Sequence, residues 1–167
     1  LVMLHGRNGR KESLLAVAER FVAAGFRCLI PDLPAHGESA VAKLHFGGST
    51  FERGLPQKVL NDMRGYFNLP DEPAALWGMS MGGAFAVSAA SDKESPWRAM
   101  VVVSSFAALD EVLVQYLPPS YTPYAGGVMT MLDLTRWIQG KPTVSSIRPR
   151  HWAQQISIPT LVVHGDN

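Results

Sequence analysis

A parallel, doubly wound α/β sheet is the fold class this sequence predicts, and two observations carry the expectation. Short apolar runs recur at Leu1–Leu4, Arg27–Ile30, Ala74–Trp77, Ala99–Val103 and Thr160–Val163, each continuous rather than alternating, as suits strands covered on both faces. Helical patterns lie between them, and strands that alternate with helices of ten or more residues build a parallel sheet with crossovers on both sides.

Each helix is read from its spacing. Residues 12–24 place Leu14, Leu15, Ala18, Phe21 and Val22 on one face and stop at Gly25. Residues 56–67 carry Val59, Leu60, Met63 and Phe67 at helical spacing, and Met81–Ala90 reads as a third helix. Residues 106–155 break this rhythm: Pro118-Pro119, Pro123, Gly126-Gly127, Pro142 and Pro149 punctuate short apolar pieces that resemble helical turns more than strands. The whole of 1–167 therefore reads as one α/β domain, with 106–155 a short helical cap insertion over the sheet.

The composition narrows the function classes. Hydrophobic residues make up 47% of the 167, as in an ordinary globular core, and 15 basic against 14 acidic residues leave a net charge of +1. No lysine or arginine block is present to neutralise phosphates, so nucleic acid is not an expected partner. The most apolar window, residues 74–90, is interrupted by Gly78, Ser80, Gly82, Gly83 and Ser88, and no run approaches the roughly 18 apolar residues of a membrane span. Cys28, the single cysteine, sits in an apolar stretch and reads as a small buried hydrophobe. Histidines and carboxylates lack metal-ligand pairing such as His-Glu-x-x-His, so neither a metal nor another cofactor is expected. The chain opens inside a strand-like run, without an initiator Met, a basic segment or an apolar leader, which predicts that the protein's own N-terminus lies upstream.

Chemistry enters at Gly78-Met79-Ser80-Met81-Gly82. A serine hydroxyl is a weak nucleophile that must be deprotonated by a base and must stand clear of the sheet for a carbonyl carbon to reach it. A sharp strand-to-helix turn meets the second need: Ala74–Trp77 supplies the strand, Met81 onward the helix, and the two glycines remove the Cβ atoms that would collide. Ser80 is thus the candidate nucleophile. The plainer alternative is a small-residue turn with a structural serine; a dinucleotide or phosphate loop is disfavoured because serine fills the middle position and no lysine follows.

Three His-Gly pairs, His5-Gly6, His36-Gly37 and His164-Gly165, fall at or just beyond the carboxyl ends of strands, the edge where open α/β sheets bind ligands. After the first, Arg7 is the candidate for a backbone N–H aimed at a tetrahedral oxyanion, with the Met81 N–H its partner, while the His5 ring satisfies buried backbone groups. Asp32, His36 and Ser39 read as structural groups of a turn-rich loop, and His45 as solvated. His151 lies before the last strand, on the wrong side of the sheet for a general base.

In order along the chain, Leu-His-Gly, Asp-x-x-x-His-Gly-x-Ser, Gly-x-Ser-x-Gly, Ser104-Ser105-Phe106 and Ile158-Pro159-Thr160-Leu161-Val162-Val163-His164-Gly165 resemble the α/β-hydrolase superfamily, and Leu76–Gly83 resembles its esterase, lysophospholipase and serine-peptidase-like branch. The resemblance implies a serine hydrolase acting on carboxylic ester or related acyl bonds of a small molecule. It also implies a catalytic acid one residue past Asn167 and a histidine after one further strand, so that the chain reads as a fragment short of a complete triad; Asp166 is two residues early for the acid. A non-catalytic binding domain on the same fold is the alternative. Leu109, Leu113, Tyr116, Leu117, Tyr121, Tyr124, Met129, Met131, Leu132, Trp137 and Ile138 could either roof a pocket for an acyl chain or pack as core.

Overall fold

The computed structural model describes residues 1–165. Four parallel strands form one sheet, β1 (Val2–Leu4), β2 (Ala74–Met79), β3 (Trp97–Val103) and β4 (Thr160–Val163), neighbours in space in that order. Helices α1 (Leu15–Ala23) and α2 (Thr50–Phe67) lie between β1 and β2, and α3 (Met81–Ala90) between β2 and β3. Helices α4 (Leu109–Gln115), α5 (Ala125–Ile138) and α6 (Pro149–Ala153) lie between β3 and β4.

Because successive strand side chains point to opposite faces, the sheet feeds two cores. Val2, Leu4, Leu76, Met100 and Val102 pack with Met81, Phe85 and Ala86 of α3 and Leu60 of α2. Met3 and Trp77 face the other way, against Leu14 and Ala18. Helices therefore cover both faces, as a doubly wound sheet requires.

Four expectations need correction. The second apolar run, Arg27–Ile30, forms no extended strand: Leu29 makes a single parallel bridge to Val2, with Met3 N–H donating to Leu29 O at 2.8 Å and Leu29 N–H to Leu1 O at 2.8 Å. Pro31 follows at once, has no N–H for the ladder and turns the chain away. The first helix begins as a 3₁₀ turn (Lys11–Leu14), and its buried face is Leu14 and Ala18 with Val17 and Phe21 alongside; Leu15 and Val22 are each 57% exposed. Helix α2 starts six residues earlier than Pro56. Its Ser49 hydroxyl accepts the Glu52 N–H at 3.2 Å, an N-terminal cap, and Pro56 is accommodated in the second turn. Last, β4 is the exposed edge of the sheet, with Leu161, Val162 and Val163 at 58%, 67% and 44%. No helix is long and apolar enough to cross a membrane among the described residues.

Two glycines set the distance between elements. A Cβ at Gly82 would lie 2.0 Å from Leu4 O, and one at Gly78 would lie 2.3 Å from Gly82 O, so α3 touches the ends of both β1 and β2 through bare backbone. Thermal unfolding tests this: Gly82→Ala lowers stability by about 3 kcal/mol as an overpacked core position, whereas Gly65→Ala in α2, where a Cβ meets nothing within 4 Å, raises it by about 0.5–1 kcal/mol.

Candidate functional site: the strand-to-helix turn at Ser80

Parallel strands in register end together. Leu4 pairs with Gly78, Met79 with Val103 and Val103 with Val163, so His5, Ser80, Ser104 and His164 all emerge at the carboxyl edge of the sheet. Of these, Ser80 occupies the turn between β2 and α3. Its backbone sits at φ 52°, ψ −117°, a region that costs a residue with a side chain about 1–3 kcal/mol. That conformation persists because the surroundings hold it. The Ser80 N–H donates to Val103 O at 2.9 Å, and its carbonyl accepts from Gly83 N–H at 2.9 Å, Ala84 N–H at 3.3 Å and the Ser105 hydroxyl at 2.9 Å.

The loop after β1 runs beside this turn. Gly6 is buried, and a Cβ on it would lie 3.4 Å from Ser80 Cβ, so the chain passes beside the serine, with space for a single carbon between them, and leads directly to Arg7. A tight turn follows, closed by Gly9 N–H to Gly6 O at 3.1 Å with Asn8 at φ 60°. Met81 is the first residue of α3, where helix geometry leaves the N–H without an intrahelical partner. Among the described residues neither the Arg7 nor the Met81 N–H meets an acceptor. The structure thus brings Ser80, the Gly6–Arg7 backbone and the α3 N-terminus together.

The histidines are placed otherwise. His5 is fully buried; Leu33 N–H donates to its Nε2 at 3.0 Å, so the proton lies on Nδ1, 2.9 Å from Gly6 O. Burial pushes this imidazole below 6.5, with the Gly6 carbonyl opposing. His36 is fixed similarly, accepting Asn8 N–H at 3.2 Å on Nε2 and donating from Nδ1 to Pro34 O at 2.8 Å, with its ring edge-on to His5 at 5.2 Å. Both rings brace the loops. Asp32 anchors the second loop. Burial of its carboxylate alone would raise it, but Glu38 N–H, Lys11 N–H and the Lys11 ammonium all donate to it and hold it down to about 2.

His45 is half-buried rather than solvated, with Arg136 of α5 3.4 Å from its Nδ1. Its N–H and that of Gly47 donate to the fully buried Glu52 at 2.6 and 2.9 Å. Gly47 O in turn accepts the Ser88 hydroxyl of α3 at 2.7 Å. Sequence reasoning missed this clamp, although Ser49-Thr50-Phe51-Glu52 carries the Ser-x-x-Glu pattern of a capping box. His151 is exposed on α6. His164, exposed after β4, stands two strand spacings from Ser80, about 10 Å, and Asp166 lies outside the described residues. Among the described residues no hydrogen bond reaches Ser80 Oγ. A cavity of about 420 Å³, lined by Leu1, Phe26, Arg27, Leu60, Arg64 and Ala74, opens at the opposite end of the sheet, away from Ser80.

The family described as serine aminopeptidase, S33, matches residues 1–148. The esterase Pf2001 of Pyrococcus furiosus superposes with a TM-score of 0.71 at 18% identity, over 96% of this chain and 59% of that one. A monoacylglycerol lipase of Paleococcus ferrophilus gives 0.55 at 20%, over 98% and 72%. DcsB, solved in complex with a substrate analogue, gives 0.52 at 23%, over 84% and 46%. These identities speak for the fold alone, and this chain spans about half the length of DcsB and three-fifths that of the esterase. No curated protein matches the chain.

The braced loops titrate with a defined sign. His5 is lowered below its unfolded value, so its stabilisation is complete above pH 6.5 and is lost as pH falls below that value; Asp32 loses its share only from pH 3.8 down to about 2. Denaturant midpoints measured from pH 8 to pH 5 decline below about pH 6.5, and the decline is shallower in His5→Gln.

Proposed function

The chain belongs to the serine aminopeptidase, S33, family of α/β-hydrolases, and on that footing we propose that it is a serine acyl hydrolase in which Ser80 attacks carboxylic esters of small molecules. One observation carries this reading. A non-glycine residue held at φ 52° between β2 and α3, gripped through both its N–H and its carbonyl, is the geometry that lifts a hydroxyl out of a sheet edge.

In the proposed reaction, Ser80 Oγ adds to the ester carbonyl carbon while its proton passes to a general base. The carbonyl oxygen becomes an oxyanion, held by the Arg7 and Met81 N–H groups, which meet no other acceptor among the described residues, and favoured by the N-terminal end of α3. Collapse of the intermediate breaks the bond to the alcohol, which leaves with the proton, and water then hydrolyses the acyl-Ser80 ester by the same steps. The rings of His5 and His36 are committed to backbone groups, so neither serves as base. The proposal places the base histidine and its carboxylate partner outside residues 1–167.

The same proposal treats residues 1–167 as one domain and 106–155 as a cap insertion within it. Leu109, Val144 and Ile147 of the insertion form a buried cluster with Phe106, Leu113 and Met129, and Phe46 packs against it from outside the insertion. Tyr116, Tyr121, Tyr124, Met131, Trp137 and Ile138 remain exposed, apolar surface suited to an acyl chain or a hydrophobic alcohol.

The protein carrying this chain is expected to hydrolyse short p-nitrophenyl esters, and Ser80→Ala to lower kcat at least about a thousandfold with little change in thermal stability. Hydrolysis undiminished in Ser80→Ala would remove the assignment, and a folded protein with no ester turnover would favour a binding domain.

A further inference from the structure

Ser105 stands two residues past β3, where the chain leaves the sheet to enter 106–155. Its hydroxyl has a specific target: Oγ lies 2.9 Å from the carbonyl oxygen of Ser80. Its Cβ also packs against the bare backbone of Gly83, where a Cβ would fall 2.7 Å away. The peptide two residues earlier contributes from the other side, since Val103 O accepts the Ser80 N–H at 2.9 Å. The end of β3 therefore holds both polar backbone groups of the residue whose own φ and ψ are unfavourable.

Resting on the Ser80 nucleophile reading, we infer that Ser105 is a positioning residue: its hydroxyl, donated to the Ser80 carbonyl, fixes the orientation of the elbow peptide and with it the direction of Ser80 Oγ. The Gly83 and Ala84 N–H groups also reach that carbonyl, at 2.9 and 3.3 Å, but they belong to α3 and move with it. Ser105 alone among these three donors ties the carbonyl to a neighbouring strand. Removing it leaves the helix turn and the Ser80 N–H bond to Val103 O intact and frees the Ser80 carbonyl to tilt about that remaining tie. Displacements well below 1 Å at a reacting atom lower rate without unfolding the protein.

A matched control is built into the same helix. Ser88 also donates a hydroxyl to a backbone carbonyl, Gly47 O at 2.7 Å, and is fully buried, but it lies two turns further along α3. Second-order labelling rates with a fluorophosphonate, together with unfolding temperatures, distinguish positioning from stability in the protein carrying this chain. Ser105→Ala is expected to label about tenfold more slowly than wild type and still reach one equivalent, while Ser88→Ala labels at the wild-type rate despite a comparable or larger loss of stability. Labelling of Ser105→Ala at the wild-type rate, or an equal slowing in Ser88→Ala, overturns the inference and leaves Ser80 as nucleophile. A wild-type protein that takes up no label overturns the nucleophile reading, and this inference with it.

Discussion

Everything at the candidate site depends on one close approach, that of the first turn of α3 to the ends of β1 and β2. Gly82 meets Leu4 O and Gly78 meets Gly82 O at separations no side chain permits. Strand and helix share so little space there that the residue between them must reverse direction in a single step. Ser80 takes the unfavourable backbone angles, and its N–H and carbonyl are both engaged by the end of β3.

The same approach fixes what lies opposite the serine. With α3 seated on Leu4 and His5 backbone atoms, the loop after β1 runs past Ser80 through Gly6. His5 and His36 then hold that path in place from behind, each with one ring nitrogen accepting an N–H and the other bound to a carbonyl. Glu52 performs a related task on the far side of α3, where it organises the loop whose Gly47 packs on the Ala84–Phe85 backbone. Buried polar groups here are satisfied mainly by backbone, which suits rigid support rather than proton transfer.

The elbow was legible in the sequence because its constraint is local: two glycines, a serine and a strand-helix change within a few residues. The nearness of the loop after β1 to the elbow was legible for a similar reason, through its position after the first strand. Other features depended on partners distant in the chain. Leu15 and Val22 fit the helical spacing as well as Leu14 and Ala18 do, and only contact with Met3 and Trp77 decides which side is buried. Arg27–Ile30 has strand composition, yet Pro31 limits it to one bridge. Thr160–Val163 reads as a covered strand but lies exposed at the sheet edge. The part played by Ser105 rests on a contact across 25 residues and left no sign beyond a Ser-Ser-Phe after a strand.

Under the proposed function this geometry presents Ser80, and no other serine among the described residues, as the nucleophile. Peptide mapping by mass spectrometry after treatment with a fluorophosphonate tests it most directly. A single phosphonyl adduct is expected on the peptide containing Ser80, with Ser104 and Ser105 unmodified although they lie at the same sheet edge. An adduct on another serine, or a native protein that remains unmodified, would contradict it.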